Sequence, residues 1–113
     1  MYPDPTREFE QKRKELAPTP LEAFHNFSHA VFADGALPAV TKQLIAVAVA
    51  HTTQCPYCIQ GHTKGALRAG ATEQQIMEAI WVAAEMRAGA AYAHSAIALD
   101  AMAHAHGEHA HTA

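Results

Sequence analysis

The chain contains only two cysteines, arranged as Cys55-Pro56-Tyr57-Cys58, with His62 four residues further on. A CxxC pair is the closest spacing suited to reversible dithiol–disulfide chemistry. Cys55 fits a helix N-cap, Pro56 the first helical position and Cys58 the first turn. The free N–H groups and the dipole at that end favour thiolate over thiol. Positions 55, 58 and 62 differ by three and four residues, so their side chains share one helix face. His62 is thereby placed to take the Cys58 proton, directly or through a water. A hydroperoxide attacked by one thiolate leaves a sulfenic acid, and the other cysteine condenses with it to a disulfide. The helix terminus favours Cys55 as the more acidic thiol, whereas His62 favours Cys58 as the nucleophile. We assign Cys58, because peroxide cleavage also benefits from a proton donor near the leaving oxygen.

Helices must position this cluster. Asp4-Pro5 reads as an N-cap and first-turn proline opening a polar helix that ends before Pro18. Thr19-Pro20-Leu21-Glu22 reads as a capping box starting a second helix, with Leu21, Phe24, Phe27, Ala30 and Val31 directed inward and a stop at Asp34-Gly35. A third, apolar helix is predicted from about Pro38 to His51, buried on most sides. The cysteine helix follows and closes near Gly70. Thr72 to Gln75 is another capping box, leading a fifth helix that Gly89 breaks or kinks. The Ala-rich stretch from Ala90 to about Ala103 is a sixth. No period-2 run bounded by hairpin turns stands out, although Val47 and Val49 keep a strand open around 44–50. The prediction is one all-α domain of about six helices, with a core over about 21–103 and a flexible tail over 104–113.

A chain of 113 residues, half of them hydrophobic, supports one compact domain. The net charge is −3 and the eight Lys and Arg are scattered, which argues against nucleic acid. The longest strongly apolar run, Leu44 to Ala50, is far short of the roughly 20 residues a membrane span requires. The charged N-terminus is unlike a signal peptide. These features lead to the expectation of a cytoplasmic protein with no membrane partner, where a CxxC pair is catalytic or metal-binding rather than a structural staple.

The same four residues, CPYC, occur in thioredoxin-fold glutaredoxins, but that fold needs a strand just before the motif and more after it. The segment LPAVTKQLIAVAVAHTTQCPYCIQGHTKGALRAGATEQQIMEAIWVAA instead resembles the carboxymuconolactone decarboxylase family, in its AhpD-like alkylhydroperoxidase branch. The resemblance covers roughly residues 37–100 and rests on an apolar helix, CxxCxxxH, a Gly-capped turn and a further helix. It implies a helical homo-oligomer, often a trimer or hexamer, that reduces a small-molecule hydroperoxide and is regenerated by a thiol reductant. It calls for no cofactor or metal. In the branch's pattern the second cysteine, here Cys58, attacks peroxide, the first, here Cys55, resolves it, and the histidine, here His62, relays the proton. The pattern also places a glutamate twelve residues before the first cysteine, where this chain has Gln43. An amide can hold a hydrogen bond but cannot take up a proton. His51, on the Gln43 face of the same helix, and Glu85, on the next long helix, are the candidate substitutes, and a Glu85 contact to His62 or His51 is expected.

Several plainer readings stand beside these. His51 at a helix end also suits the terminal carbonyls. Glu85 reads equally as a solvated residue or an ion-pair partner of Arg87, Tyr57 as a cover over the site, and Trp81 as a core or interface anchor. A structural zinc site on Cys55, Cys58, His62 and His51 has the right ligand types, but ligands along one helix face wrap a metal poorly. His25 and His29, and the tail residues His104, His106, His109 and His111, could bind metal adventitiously. A family decarboxylase, which needs no dithiol, and a redox sensor without efficient turnover complete the alternatives.

Overall fold

A computed structural model describes residues 1–112, with side chains through Ala105, and among these the chain is helical with no strand. Helix α1 spans Arg7–Leu16 and α2 Pro18–Phe32, followed by α3 over Ala39–Thr53, α4 over Pro56–Arg68 and α5 over Glu73–Thr112. Five helices form where about six were expected. Gly89 sits inside α5 without interrupting it. A single helical glycine costs about 1 kcal/mol relative to Ala, and the flanking alanines, Met86 and Arg87, with no proline, outweigh that cost. The expectation of a flexible tail over 104–113 falls largely on side chains outside the described residues.

The helix ends follow local chemistry, with two departures from the expected caps. Thr6, not Asp4, caps α1, its hydroxyl accepting the Phe9 N–H at 3.3 Å. Helix α2 begins at Pro18 with no side-chain cap, so Thr19 already lies inside the helix and its capping box does not form. Proline at the first helical position supplies a preset φ and has no N–H to satisfy, which moves the start one step earlier. Lys42 of α3 donates from Nζ to the carbonyls of Val31, at 2.8 Å, and Ala33, at 2.6 Å. A cation on these carbonyls ties the end of α2 to α3. Asp34 accepts the Ala39 N–H at 2.6 Å and opens α3.

Helix α3 ends at Gln54, which is left-handed at φ 59° and turns the chain into Cys55. The Arg87 guanidinium, from α5, donates to the Thr52 carbonyl at 3.3 Å. Helix α4 ends through Gly70, at φ 103°, where the Ala71 N–H reaches back to the Ala66 carbonyl at 2.9 Å. The capping box at α5 forms as expected. Gln75 N–H donates to the Thr72 hydroxyl at 3.0 Å, and Thr72 N–H donates to the Gln75 side chain at 2.9 Å.

The core is small and lies where α3, α4 and the first turns of α5 meet. Val47, Ala66, Ala71 and Ile76 are buried, and Val40, Leu44 and Ile80 pack against them. Helix α3 buries one face rather than most of its circumference, since Ile45 and Val49 are exposed. The expected inward face of α2 is also corrected. Leu21 is half-buried, but Phe24, Phe27, Ala30 and Val31 are exposed, as is Trp81 on α5, which is therefore no core anchor within one chain.

The long axis is 66 Å and the radius of gyration 21.1 Å, against about 13 Å for a globule of about 100 residues. A 40-residue helix is itself about 60 Å long, so α5 sets the long axis. Its residues Tyr92, Ile97, Leu99 and Met102 are exposed around the helix, leaving apolar surface that the chain does not cover by itself.

Replacing Asp34 with Ala removes the acceptor that opens α3 and is expected to lower stability by about 1 kcal/mol. The midpoint of urea unfolding checks this, and an unchanged midpoint would show that the contact contributes nothing.

Candidate redox-active site

Helix α4 begins on the cysteine motif. Cys55 is the N-cap, Pro56 the first helical residue, and the Cys58 backbone N–H donates to Cys55 Sγ at 3.3 Å. A sulfur here does the work of the usual capping hydroxyl. The Cys55 thiol is held below its ordinary pKa, first by the hydrogen bond from the Cys58 thiol, then by the Cys58 backbone N–H, with the Tyr57 N–H adding to them. Cys58 is pushed up, because it is the donor in the same thiol pair, because it is more buried, and because a Cys55 thiolate repels its charge. Cys55 is therefore the more acidic of the two thiols and Cys58 the less acidic. Both are free and half-buried.

His62, one turn beyond Cys58, is held from two directions. Its Nδ1 lies 2.9 Å from Gln43 Oε1 on α3. An amide oxygen only accepts, so Nδ1 carries the hydrogen and Nε2 is left with its lone pair. The Phe32 ring, at the end of α2, stacks on the imidazole with centroids 5.0 Å apart and planes at 24°. Gln43 reaches this position because it lies one turn before the buried Val47, on the α3 face turned to α4.

The structure brings Cys55, Cys58, His62 and Gln43 together and leaves the two expected substitutes outside. His51 Nδ1 donates to the Val47 carbonyl at 2.7 Å, within its own helix, as the helix-end reading has it. Glu85 is exposed and forms no hydrogen bond or ion pair among the described residues; its carboxylate folds back along α5 toward Gly89. The expected Glu85 contact to His62 or His51 is not made among the described residues, because Glu85 lies on an exposed side of α5 while those histidines bond Gln43 and the Val47 carbonyl.

Nor do the described residues gather three or more His, Cys, Asp or Glu side chains in a metal-holding arrangement. His25 instead pairs with Glu10, Nε2 to Oε1 at 3.2 Å. Tyr57 donates its hydroxyl to the Pro3 carbonyl at 2.7 Å and meets Tyr2 edge-on, which pins the N-terminal segment across the start of α4.

Two grooves hold both Cys58 and His62 in their walls. One, of about 380 Å³, runs between α2, α3 and α4, walled by Val31, Phe32, Ile45 and Val49, with Cys58 and His62. The other, of about 520 Å³, shares Phe32, Cys58 and His62 and extends past Phe24, Phe27 and Arg68. Cys55 lines neither. Sequence reasoning missed Phe32 and Lys42, since an aromatic at a helix end and a lysine in an apolar helix carry no signal until the two helices are placed.

The site is thus a helix-capping CxxC pair with a buttressed histidine one turn further along the same helix, on an all-helical scaffold. Residues 18–101 match the model of the carboxymuconolactone decarboxylase family, and the chain belongs to that family. It is 74% identical over 78 residues to the uncharacterized protein 4 in cox locus of Paracoccus denitrificans, covering 69% of this chain and 70% of that one. The fold is similar to the apo form of a carboxymuconolactone decarboxylase family protein from Legionella pneumophila, with a TM-score of 0.67, 33% identity and 70% of each chain covered. It is also similar to a family member from Thermotoga maritima that is suggested to take part in an antioxidative response. That match has a TM-score of 0.54 and 29% identity, and covers 57% of this chain and 67% of that one.

Cys58→Ala removes the thiol donor to Cys55 and should move the onset of Cys55 thiolate reactivity to higher pH. The rate of iodoacetamide alkylation followed against pH reads this directly, and an unmoved onset would rule out the thiol pair as the main cause.

Proposed function

We propose that this protein is a dithiol peroxidase that reduces organic hydroperoxides through a Cys55–Cys58 dithiol–disulfide cycle. The observation that carries the reading is the placement of Cys58 and His62 together on an apolar groove, with Cys55 accepting the Cys58 backbone N–H and its thiol held below the ordinary range. His62 Nε2 takes the Cys58 proton. The resulting thiolate attacks the terminal peroxide oxygen, the O–O bond breaks, and the leaving alkoxide takes the proton back from His62 as an alcohol. Cys58 is then a sulfenic acid. The Cys55 thiolate attacks its sulfur, an S–S bond forms, and hydroxide leaves and is protonated to water. An external dithiol reduces the disulfide and closes the cycle.

The raised Cys58 thiol explains why a base is needed, and the lowered Cys55 thiol suits the resolving step. The groove walls suit an alkyl rather than an inorganic peroxide. The uncovered faces of α2 and α5 support a homo-oligomer, for which the family resemblance suggests a trimer or hexamer. No described helix is long and apolar enough to cross a membrane, and a working dithiol suits the reducing cytoplasm.

A second reading follows from Cys55 alone. An acidic thiol that lines no groove is open to disulfide partners, which would make the protein a thiol–disulfide oxidoreductase or sensor.

Fully reduced protein mixed with cumene hydroperoxide should lose two thiols per chain. A sulfenic acid should be trappable in Cys55→Ser and absent in Cys58→Ser. Fast thiol titration by small disulfides with no peroxide reaction would replace the peroxidase by the oxidoreductase reading.

His62→Gln should slow peroxide reduction by roughly 10²- to 10⁴-fold while both thiols still titrate. A rate within a few-fold of the parent's would remove His62 from the mechanism.

A further inference from the structure

Helix α4 carries a glycine, Gly65, in its buried interior, three residues after His62 and next to the fully buried Ala66. Glycine lowers helix stability relative to alanine, and nothing about α4 as a helix calls for it there. Its backbone is ordinary right-handed helix, since among the glycines of the described residues only Gly70 has a positive φ. The reason for Gly65 lies across the interface. A Cβ at position 65 would stand 2.8 Å from Gln43 Oε1, 3.0 Å from Gln43 Cδ and 3.3 Å from Gln43 Nε2. The three nearest atoms all belong to one amide, the group whose oxygen holds His62 Nδ1 at 2.9 Å.

We infer that Gly65 is a positioning residue, whose bare backbone provides the space through which Gln43 reaches His62 and fixes its tautomer. The amide lies flat against α4 and its oxygen receives the Nδ1 hydrogen. The ring is then presented with Nε2 as its basic nitrogen, its face held by Phe32. This deepens the proposed peroxidase reading and rests on it for its functional meaning.

It also accounts for an amide at position 43. In the cycle proposed above, the proton taken from Cys58 returns to the leaving alkoxide, so none has to pass beyond His62. The residue on Nδ1 need only hold a hydrogen and select a tautomer, and an amide oxygen suffices. Gly65 and Gln43 form one device, in which the side chain on α3 needs the missing side chain on α4.

The test uses reduced protein and two readouts. Ring ¹⁵N spectroscopy gives the His62 tautomer, and the rate of thiol loss to cumene hydroperoxide gives the chemistry. The parent should show hydrogen on Nδ1. Gly65→Ala should lose that preference and react at least ten-fold more slowly, while remaining helical, since alanine is the better helix former and the clash is confined to a flexible side chain. Gln43→Ala should do the same, and the double variant should be no worse than Gln43→Ala alone, because Gly65 acts only through Gln43.

Retention of the Nδ1 tautomer in Gly65→Ala, or losses that add in the double variant, would overturn the inference, as would hydrogen on Nε2 in the parent. If Gly65→Ala unfolds, Gln43→Ala still reports, because a parent-like tautomer there removes the clamp altogether. If the tautomer responds as expected while even the parent fails to reduce peroxide, the positioning role stands and the peroxidase reading falls.

Discussion

Helix α3 lies against α4 along a seam of small side chains, and that close approach governs what the cysteines can do. Val47 and Ala66 are wholly buried at its centre, with Ala71 and Ile76 closing it from the start of α5. The seam carries little bulk, so its contribution comes from excluding water and holding two backbones near one another. Moving one turn from Val47 along α3 arrives at Gln43, and moving one turn back from Ala66 along α4 arrives at His62. The packing that makes the core therefore also makes the Gln43–His62 hydrogen bond.

The two cysteines illustrate how one local motif yields two unlike thiols. Cys55 lies outside the helix and collects donors, while Cys58 lies inside it, donates, and faces the groove. Neither property draws on a charged residue other than the two cysteines themselves. A capping geometry with sulfur in place of oxygen is enough, because the amide and thiol hydrogens that satisfy the helix start point at the same atom. The proposed division of labour between nucleophile and resolving thiol rests on which side of the N-cap each residue occupies.

The single chain leaves much apolar surface uncovered. A helix about 60 Å long with a core confined to its first turns leaves Tyr92, Ile97, Leu99 and Met102 in water, and α2 leaves Phe24 and Phe27 there too. Lys42 holds the end of α2 through two carbonyls, and Phe32 is thereby set over His62. Helix α2, which presents uncovered apolar surface, thus also forms one wall of the site, so cover over that surface bears on the groove as well.

Much of the scaffold was legible in the residues themselves, because helix starts and stops are decided within a few positions. The cysteine N-cap, the Gly70 terminus and the Thr72–Gln75 box are local hydrogen-bonding facts, and they hold. Where local signals competed, the reading was off by a step, as at Thr6 and Pro18, or too pessimistic, as at Gly89 within α5. The sequence by itself determined an all-helical chain and the placement of His62 one turn beyond Cys58, since both depend on spacings of three and four residues. Only the tertiary structure decided what meets that histidine. It gave Gln43 to His62 and His51 to its own helix, and left Glu85 outside. Those outcomes depend on the rotation of α3 and α5 against α4, which is set by packing that involves both surfaces of each interface at once and is written in neither alone.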